Sequence, residues 1–505
     1  MDVLPPLLSG LASGFGVAFT PTNLAYAFVG ALLGTAIGVL PGLGSPATIA
    51  LLLPATYAMD PVPAVILLAA VFHGAMYGGS TTSILLRIPG ESASIVTCLD
   101  GHAMTRQGRA GTALGIAAIS SFAAASMSLL LLTLVAPVVA GFALRFGPPE
   151  YASLVVLGLV AAASLSRGSM AKGLLMVALG ILLGTVGIDP VFGEPRFTFG
   201  LVYLLDGFDF VVVGMGLFGI AEVLSNLGER QAPRVDEGAI GRLLPSRDEW
   251  RRCRAAIVRG TGLGFLVGTL PGGGAVVSSF LAYAVEQRVS SHPETFGRGA
   301  VEGVAAPEAA NNAASVSSFI PLLTLGIPGN AAIAMIFVAL MVHGVQPGPF
   351  LVEEHPRLFW GVIASMYVGN VLLLALNLPL VWLWVRLLRI PYPYLAGLVV
   401  ITCLAGAYSI RNAAFDVGVM AAFGALGFLL RKGGFPVVPL LLALILGRIL
   451  ERSFVQSLQM SAGDPAIFVE RPVSAVLLLI AAVLATAPVV RRGRARQPTV
   501  ESREP

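Results

Sequence analysis

Long apolar blocks separated by short polar or Gly/Pro-rich stretches make up nearly all of the chain. A membrane span needs about 20 apolar residues, so these blocks predict roughly ten to twelve membrane segments, some of them interrupted. The first block, residues 22–58, is cut by GVLPGLG at Gly38 to Gly44 and resumes as SPATIALLLPATYAM. The second runs from Val62 into FHGAMYGGSTTS and then ILLRIPGES. There Pro89 and Gly90 predict another break, beside the hydroxyls of Ser80, Thr81, Thr82 and Ser83. Uninterrupted blocks follow at residues 111–144, 151–166, 173–187 and 205–226, before a polar stretch from Gly228 to Arg254.

The second half repeats these marks in the same order. GTLPGGG at Gly268 to Gly274 echoes GVLPGLG, and GIPGN at Gly326 to Asn330 echoes RIPGE at Arg87 to Glu91. PYPY at Pro391 to Tyr394 matches PPEY at Pro148 to Tyr151, and Glu451 near a helix end matches Glu222. The offsets are all roughly 230 to 240 residues, which argues for internal duplication. The expected organisation is a first transmembrane repeat over 1–227, a linker over 228–254 and a second repeat over 255–455. An outer loop with a final span follows over 456–490, with a basic tail over 491–505.

Composition supports the membrane reading. Of 505 residues, 56% are hydrophobic and 11% are charged, against about a quarter charged in an ordinary soluble domain. The arginines lie in loops and in the tail RRGRAR at Arg491 to Arg496, so a pI near 9.1 reflects topology rather than a nucleic-acid patch. No Lys or Arg precedes Arg87, whereas Arg230, Arg234, Arg242, Arg247, Arg251, Arg252 and Arg254 crowd the central stretch. The positive-inside rule then places the N-terminus outside and both the linker and the C-terminal tail inside. Equivalent starts on opposite faces make the repeats inverted. The fold class expected is an all-α polytopic membrane protein of two inverted repeats with broken helices and re-entrant segments. The opening MDVLPPLLSGLASGFGVAFT has no basic n-region and contains two prolines, so no cleaved signal peptide is expected.

The most informative stretch is Glu302 to Asn330, EGVAAPEAANNAASVSSFIPLLTLGIPGN. It sets a carboxylate and paired amides inside membrane-like sequence. Pro307 suits the first position of a helix, which places Glu308, Asn311, Asn312 and Ser315 on one face. Pro321 and then Gly326, Pro328 and Gly329 are expected to break it. Broken backbone at membrane depth is tolerated only inside protein or around a cavity. In inverted-repeat transporters such breaks build the midplane site, with half-helix N-termini facing anions and freed carbonyls facing cations. The candidate substrate-binding set is therefore Gly42, Gly44, Ser80, Thr81, Thr82, Pro89, Gly90, Gly272, Gly274, Asn311, Asn312, Pro328, Gly329 and Asn330. Glu308, Asn311 and Asn312 are the candidate ligands of a coupling sodium ion or proton. Arg87 beside its break has as candidate partners an anionic solute and Glu91, with a snorkelling position at the membrane surface as the plain alternative. Asp206, Asp209 and Glu222 take no assigned role.

Enzyme readings find little support. Lys172 and Lys432 are the only lysines and each precedes glycine, which rules out a GxxxxGK[ST] phosphate loop. The histidines at 73, 102, 292, 343 and 355 form no HExxH cluster, and Cys98, Cys253 and Cys403 have no ligand spacing. No resident cofactor or metal is expected beyond a coupling sodium ion or proton. Two other classes stay open: an anion channel, and a scaffold or enzyme of unknown reaction.

Across nearly its whole length the chain resembles the large membrane permease subunit of the tripartite tricarboxylate transporter family. The resemblance rests on GVLPGLGSPATIALLLPATYAMDP, GAMYGGSTTSILLRIPG, GTALGIAAISSF, FGPPEYASL, GIDPVFGEPRFTFG, EGVAAPEAANNAAS, LGIPGNAAIAM and GVQPGPFL. It implies a bacterial inner-membrane permease that imports tricarboxylates or related carboxylates by cation symport. The implied partners are a small membrane subunit of about four helices, a periplasmic solute-binding protein, the carboxylate substrate and the lipid bilayer, with no nucleic acid. Two positions depart from the family pattern: Arg87 stands where a polar uncharged residue is usual, and Glu91 where a small one is.

Overall fold

Proline sets where several helices begin, because its missing N–H would be unpaired in a first turn anyway. A computed structural model of the chain describes residues 4–40, 44–165, 169–189, 192–226, 241–270, 274–388 and 390–494. Their helices are α1 (Leu4–Ala18), α2 (Pro21–Val39), α3 (Ser45–Thr56), α4 (Pro61–Leu86), α5 (Thr97–Arg106), α6 (Ala110–Ala143), α7 (Pro148–Leu165) and α8 (Met170–Gly184). Next come α9 (Phe210–Gly214), a π-helical segment Met215–Ile220 and α10 (Ala221–Asn226). The second half holds α11 (Arg247–Gly268), α12 (Gly274–Val289), α13 (Glu302–Ser317), α14 (Phe319–Leu325), α15 (Ala331–Val342), α16 (Leu351–Glu354), α17 (Pro356–Asn377) and α18 (Val381–Leu387). It closes with α19 (Tyr392–Arg411), α20 (Ala414–Lys432), α21 (Val437–Met460), α22 (Ile467–Glu470) and α23 (Pro472–Arg494). The only strands among the described residues are a two-residue antiparallel pairing, Gly187–Ile188 with Pro195–Arg196.

Among the described residues six helices are long and apolar enough to cross a membrane, in α2, α4, α6, α17, α19 and α20, and several shorter apolar helices accompany them. The protein is thus an all-α, multi-pass membrane protein. The breaks fall where the sequence places them. α2 ends at Val39 and α3 starts at Ser45, while α11 ends at Gly268 and α12 starts at Gly274. The chain leaves α4 through Arg87 and α14 through Gly326, both left-handed, with φ of 61° and 69°.

Packing repeats more closely than the sequence motifs suggested. Gly30, Gly34 and Gly38 on α2 lie against the backbone of α4 at Leu67, Val71 and Ala75, so close that a Cβ on Gly34 would stand 2.3 Å from the Val71 carbonyl. Gly260, Gly264 and Gly268 on α11 meet Ala306, Ala310 and Ala314 of α13 in the same way, with a Cβ on Gly264 at 2.3 Å from the Ala310 carbonyl. Small residues at this spacing let membrane helices touch backbone to backbone. The halves also exchange partners reciprocally. Helix α8 packs on α21, and α20 packs on the segment Met215–Ile220. Arg196 of the first half pairs with Glu451 of the second, and Arg431 of the second with Glu222 of the first. Glu222 and Glu451 are therefore structural partners of arginine, and Asp209 caps α9 by accepting from Val211 N at 2.8 Å and Val212 N at 3.1 Å.

Three local expectations are corrected. Pro307 does not start its helix: α13 begins at Glu302 and carries Pro307 in its interior. Pro321 does not break the chain either, since it sits in the first turn of α14, where its missing N–H is harmless; the turn falls earlier, at Ser318. Helix α11 begins at Arg247, inside the stretch read as a linker, because Ser246 and Glu249 form a capping box, with Glu249 N donating to Ser246 Oγ at 3.2 Å and Ser246 N to Glu249 Oε2 at 2.7 Å.

Candidate functional site

Every residue of α13 is buried, so its acidic and amide groups need partners within the protein. Glu308, 1% exposed, finds them on the first half. Ser80 Oγ of α4 donates to its Oε2 at 2.6 Å, Thr97 Oγ1 of α5 donates to its Oε1, and Ser121 Oγ of α6 approaches at 3.5 Å. No Lys, Arg or His among the described residues pairs with it. Three helices of one repeat thus cage a carboxylate offered by the other. A cavity of about 300 Å³ opens beside it, lined by Glu308, Ser80, Thr81, Ser121, Tyr77 and Asn377 among others.

One turn along α13, Asn312 Nδ2 donates to Ser121 Oγ at 2.7 Å and to the Glu308 carbonyl at 3.1 Å. Its Oδ1 has no partner, and it lines a second cavity of about 220 Å³ together with His73, Tyr77 and Asn370. The glycine contacts that equate α4 with α13 make His73 the counterpart of Asn312, and His73 Nε2 is likewise buried without a partner. Two equivalent residues therefore bring unpaired polar atoms to one small chamber where the repeats meet. Tyr77 closes it, donating its hydroxyl to Asn370 Oδ1 at 2.7 Å, while Asn370 Nδ2 donates to Ser126 Oγ at 2.9 Å and the Phe122 carbonyl at 3.1 Å. Asn311 points elsewhere: 0% exposed, it leaves both side-chain polar atoms unpaired.

The remaining candidates divide. Ser80 and Thr81 belong to the Glu308 cavity, whereas Thr82 Oγ1 donates to the Gly79 carbonyl of its own helix at 3.3 Å. Gly90 packs so tightly that a Cβ would lie 2.0 Å from the Gly38 carbonyl. Gly329 occupies the matching place in the second half with more room: a Cβ on it would stand 3.9 and 4.0 Å from the Leu270 and Gly268 carbonyl oxygens and 4.0 Å from Ser318 Cβ. Pro89 and Pro328 directly precede these glycines in non-helical chain, between bends at Arg87 and Gly90 and at Gly326 and Gly329. Gly44 precedes α3 with an ordinary φ of −76°, and Gly274 opens α12 at a φ of +52° that favours glycine. Asn330 caps α15, its Oδ1 accepting from Ile333 N at 3.0 Å. Gly42 and Gly272 lie outside the described residues. Arg87 and Glu91 do not pair: the Glu91 carboxylate accepts from Ser45 N at 2.9 Å and Ser92 N at 3.1 Å.

Sequence reasoning missed Thr97, Ser121, Tyr77, His73 and Asn370. Only Ser121, Tyr77 and Asn370 carried a faint signal, as polar residues deep in apolar blocks. It also missed Asp100, fully buried, which ties the repeats together by accepting from Gly299 N and Ala300 N at 2.8 Å and from the Tyr283 hydroxyl at 2.8 Å.

A multi-pass bundle with a buried carboxylate, unpaired amides and internal cavities at the junction of two repeats has the makings of a membrane transporter. The Tripartite tricarboxylate transporter TctA family matches residues 24–442, and the chain belongs to that family. It is 48% identical over 491 residues to an uncharacterized 52.8 kDa protein of Agrobacterium vitis, described as lying in the TAR-I ttuC' 3' region, covering 97% of this chain and 98% of that protein. A second Agrobacterium vitis protein, from the TAR-II ttuC' 3' region and also uncharacterized, is 48% identical over 234 residues, which is 46% of this chain and 97% of that protein. No solved structure matches the chain.

Proposed function

We propose that the protein is the permease subunit of a binding-protein-dependent secondary transporter that imports a tricarboxylate or related carboxylate together with sodium or a proton. The observation that carries this reading is the Glu308 cage. A carboxylate held by the hydroxyls of Ser80, Thr97 and Ser121 and by no basic side chain among the described residues is suited to receive a cation, and isolated charge at membrane depth is costly otherwise. Its donors come from one repeat and its backbone from the other, so cation binding acts on how the halves meet. Family membership supports a tripartite assembly. In this reading the partners are a small membrane subunit of about four helices and a periplasmic solute-binding protein, in a bacterial inner membrane. The reciprocal Arg196–Glu451 and Arg431–Glu222 pairs fit two-fold related repeats, and the arginine distribution supports their inversion, with the N-terminus outside and the central loop inside.

Uptake into proteoliposomes with the purified partner proteins, varying sodium and pH separately, tests the function. An imposed gradient of one of the two cations is expected to drive accumulation. Uptake that follows only the solute gradient and ignores both would instead make the protein an anion channel. Cysteine labelling from outside is expected to reach Ser9→Cys and to miss Arg242→Cys; labelling of both from one side would overturn the inversion.

A further inference from the structure

The two repeats treat equivalent helix starts differently. In the first, the N-terminus of α3 already holds a carboxylate: Glu91 Oε2 accepts from Ser45 N at 2.9 Å, and a Cβ on Gly44 would stand 3.8 Å from the same oxygen. A helix N-terminus with free N–H groups is a natural seat for an anion. The counterpart of α3 is α12, because Gly38 and Gly268 hold the same place before each break, and the counterpart of Glu91 is Asn330, because each directly follows an Ile-Pro-Gly bend. Asn330 is neutral, and its Oδ1 turns to its own helix at Ile333 N. Among the described residues no side chain accepts from Ala275 N, the counterpart of Ser45 N.

A second difference lies beside the first. Helices α12 and α13 run antiparallel: Ser279 Oγ lies 3.3 Å from the Pro307 carbonyl, while Tyr283, one turn on in α12, shares Asp100 with the Gly299 and Ala300 amides that lead into α13. One turn further along each helix sets Ala275, in the first turn of α12, opposite Asn311. Asn311 is 0% exposed and leaves both its amide N and its amide O unpaired. Its counterpart in the first repeat is Phe72, which has no polar atom to offer.

We propose that Glu91 is a built-in carboxylate that fills the anion seat of the first repeat, so that the ligand is held through a carboxylate only at the second seat, formed by Ala275 N–H and Asn311. This rests on the carboxylate ligand proposed above and makes Glu91 a determinant of how many carboxylates the ligand presents. The seats lie close in the fold, since the 3-10 turn Ser92–Ile95 that follows Glu91 packs on α12. Emptying the first seat therefore favours a ligand able to reach both.

Equilibrium binding of radiolabelled citrate, succinate and propionate to the purified full-length permease in nanodiscs tests this. Glu91→Ala is expected to raise affinity for citrate and succinate relative to propionate by about tenfold, the worth of one added charge-assisted hydrogen bond. Glu91→Gln keeps an acceptor for Ser45 N–H without the charge and is expected to shift the ratio less, in the same direction; it serves as the readout if the alanine variant does not fold. Asn311→Asp, which puts a second protein carboxylate at the other seat, is expected to weaken all three ligands by about tenfold or more. Unchanged ratios in both folded Glu91 variants, with the wild type binding carboxylates, overturn the assignment of Glu91 alone. A wild type that binds none of the three overturns the carboxylate reading and this inference with it.

Discussion

Two glutamates on the same helix meet burial in opposite ways. Glu302, at the start of α13, is neutralised by Arg252 through paired contacts, Nε to Oε1 at 2.7 Å and Nη2 to Oε2 at 2.8 Å, with the arginine side chain 36% exposed. Glu308, less than two turns on, is 1% exposed and has hydroxyl donors alone. The first arrangement is complete in itself: charge meets charge at the rim of the bundle, and the pair fixes α11 against α13. The second leaves a carboxyl group held by hydroxyl donors, with no cationic side chain among the described residues beside it. The contrast separates a carboxylate paired with a cationic side chain from one that has no cationic partner among the described residues. The pattern recurs elsewhere, for Arg259–Glu286, Arg411–Asp416 and Arg471–Glu150 all follow the first arrangement.

The sharpest way to break the comparison is to neutralise both glutamates in turn. Glu308→Gln keeps the shape and is expected to lower cation-driven uptake by about tenfold or more, because hydrogen bonds to a charged group are the strong ones, while expression and assembly stay normal. Wild-type uptake and cation dependence in this variant would make Glu308 a structural residue like Glu302. Glu302→Gln should behave conversely. It strands Arg252 and is expected to cost about 1–2 kcal/mol of stability, discounted for the exposure of the arginine, with uptake per folded molecule and cation half-saturation unchanged. Adding Arg252→Gln should restore part of the loss in a thermal unfolding assay.

A smaller effect is expected from the cage. Ser80→Ala and Thr97→Val each remove one donor to Glu308 and should raise the cation concentration for half-maximal uptake about three- to tenfold. Ser121→Ala should do less through its longer contact with Glu308, although it also removes the acceptor of Asn312 Nδ2. The smallest separates two break glycines. Gly274→Ala forces a side chain onto a φ of +52° and should cost about 1 kcal/mol, whereas Gly44→Ala, with a φ of −76° and only ordinary contacts, should be near neutral in unfolding experiments.

The breaks, the recurring motifs and the presence of buried polar groups at Glu308 and Asn312 were legible because each violates a local rule: a proline or glycine inside an apolar block, or a carboxylate or amide where lipid-compatible sequence is required. The hydroxyls that cage Glu308 break no rule. Serine and threonine are tolerated in membrane helices and satisfy themselves on the preceding turn, as Thr133 does on the Leu129 carbonyl at 2.7 Å, so nothing marked Thr97 apart from them. The glycine rows on α2 and α11 were present in the sequence yet unread, since small-residue spacing gains meaning only when the facing helix is known. Pro307 misled because proline is read as a helix start, whereas inside a buried membrane helix it forfeits only the bond to the carbonyl four residues back, here that of Gly303.

The sequence by itself determined that this chain is a multi-pass helical protein built twice over, since apolar length, turn chemistry and repeated motifs act through local preferences that each segment carries wherever it lies. Only the tertiary structure decided which carboxylates are paired with arginine and which are held by hydroxyls alone. Glu302 and Glu308 are the same residue on the same helix. What separates them is whether a residue distant in sequence brings a guanidinium or a hydroxyl within hydrogen-bonding distance, and in a low-dielectric interior that difference governs the state of the charge.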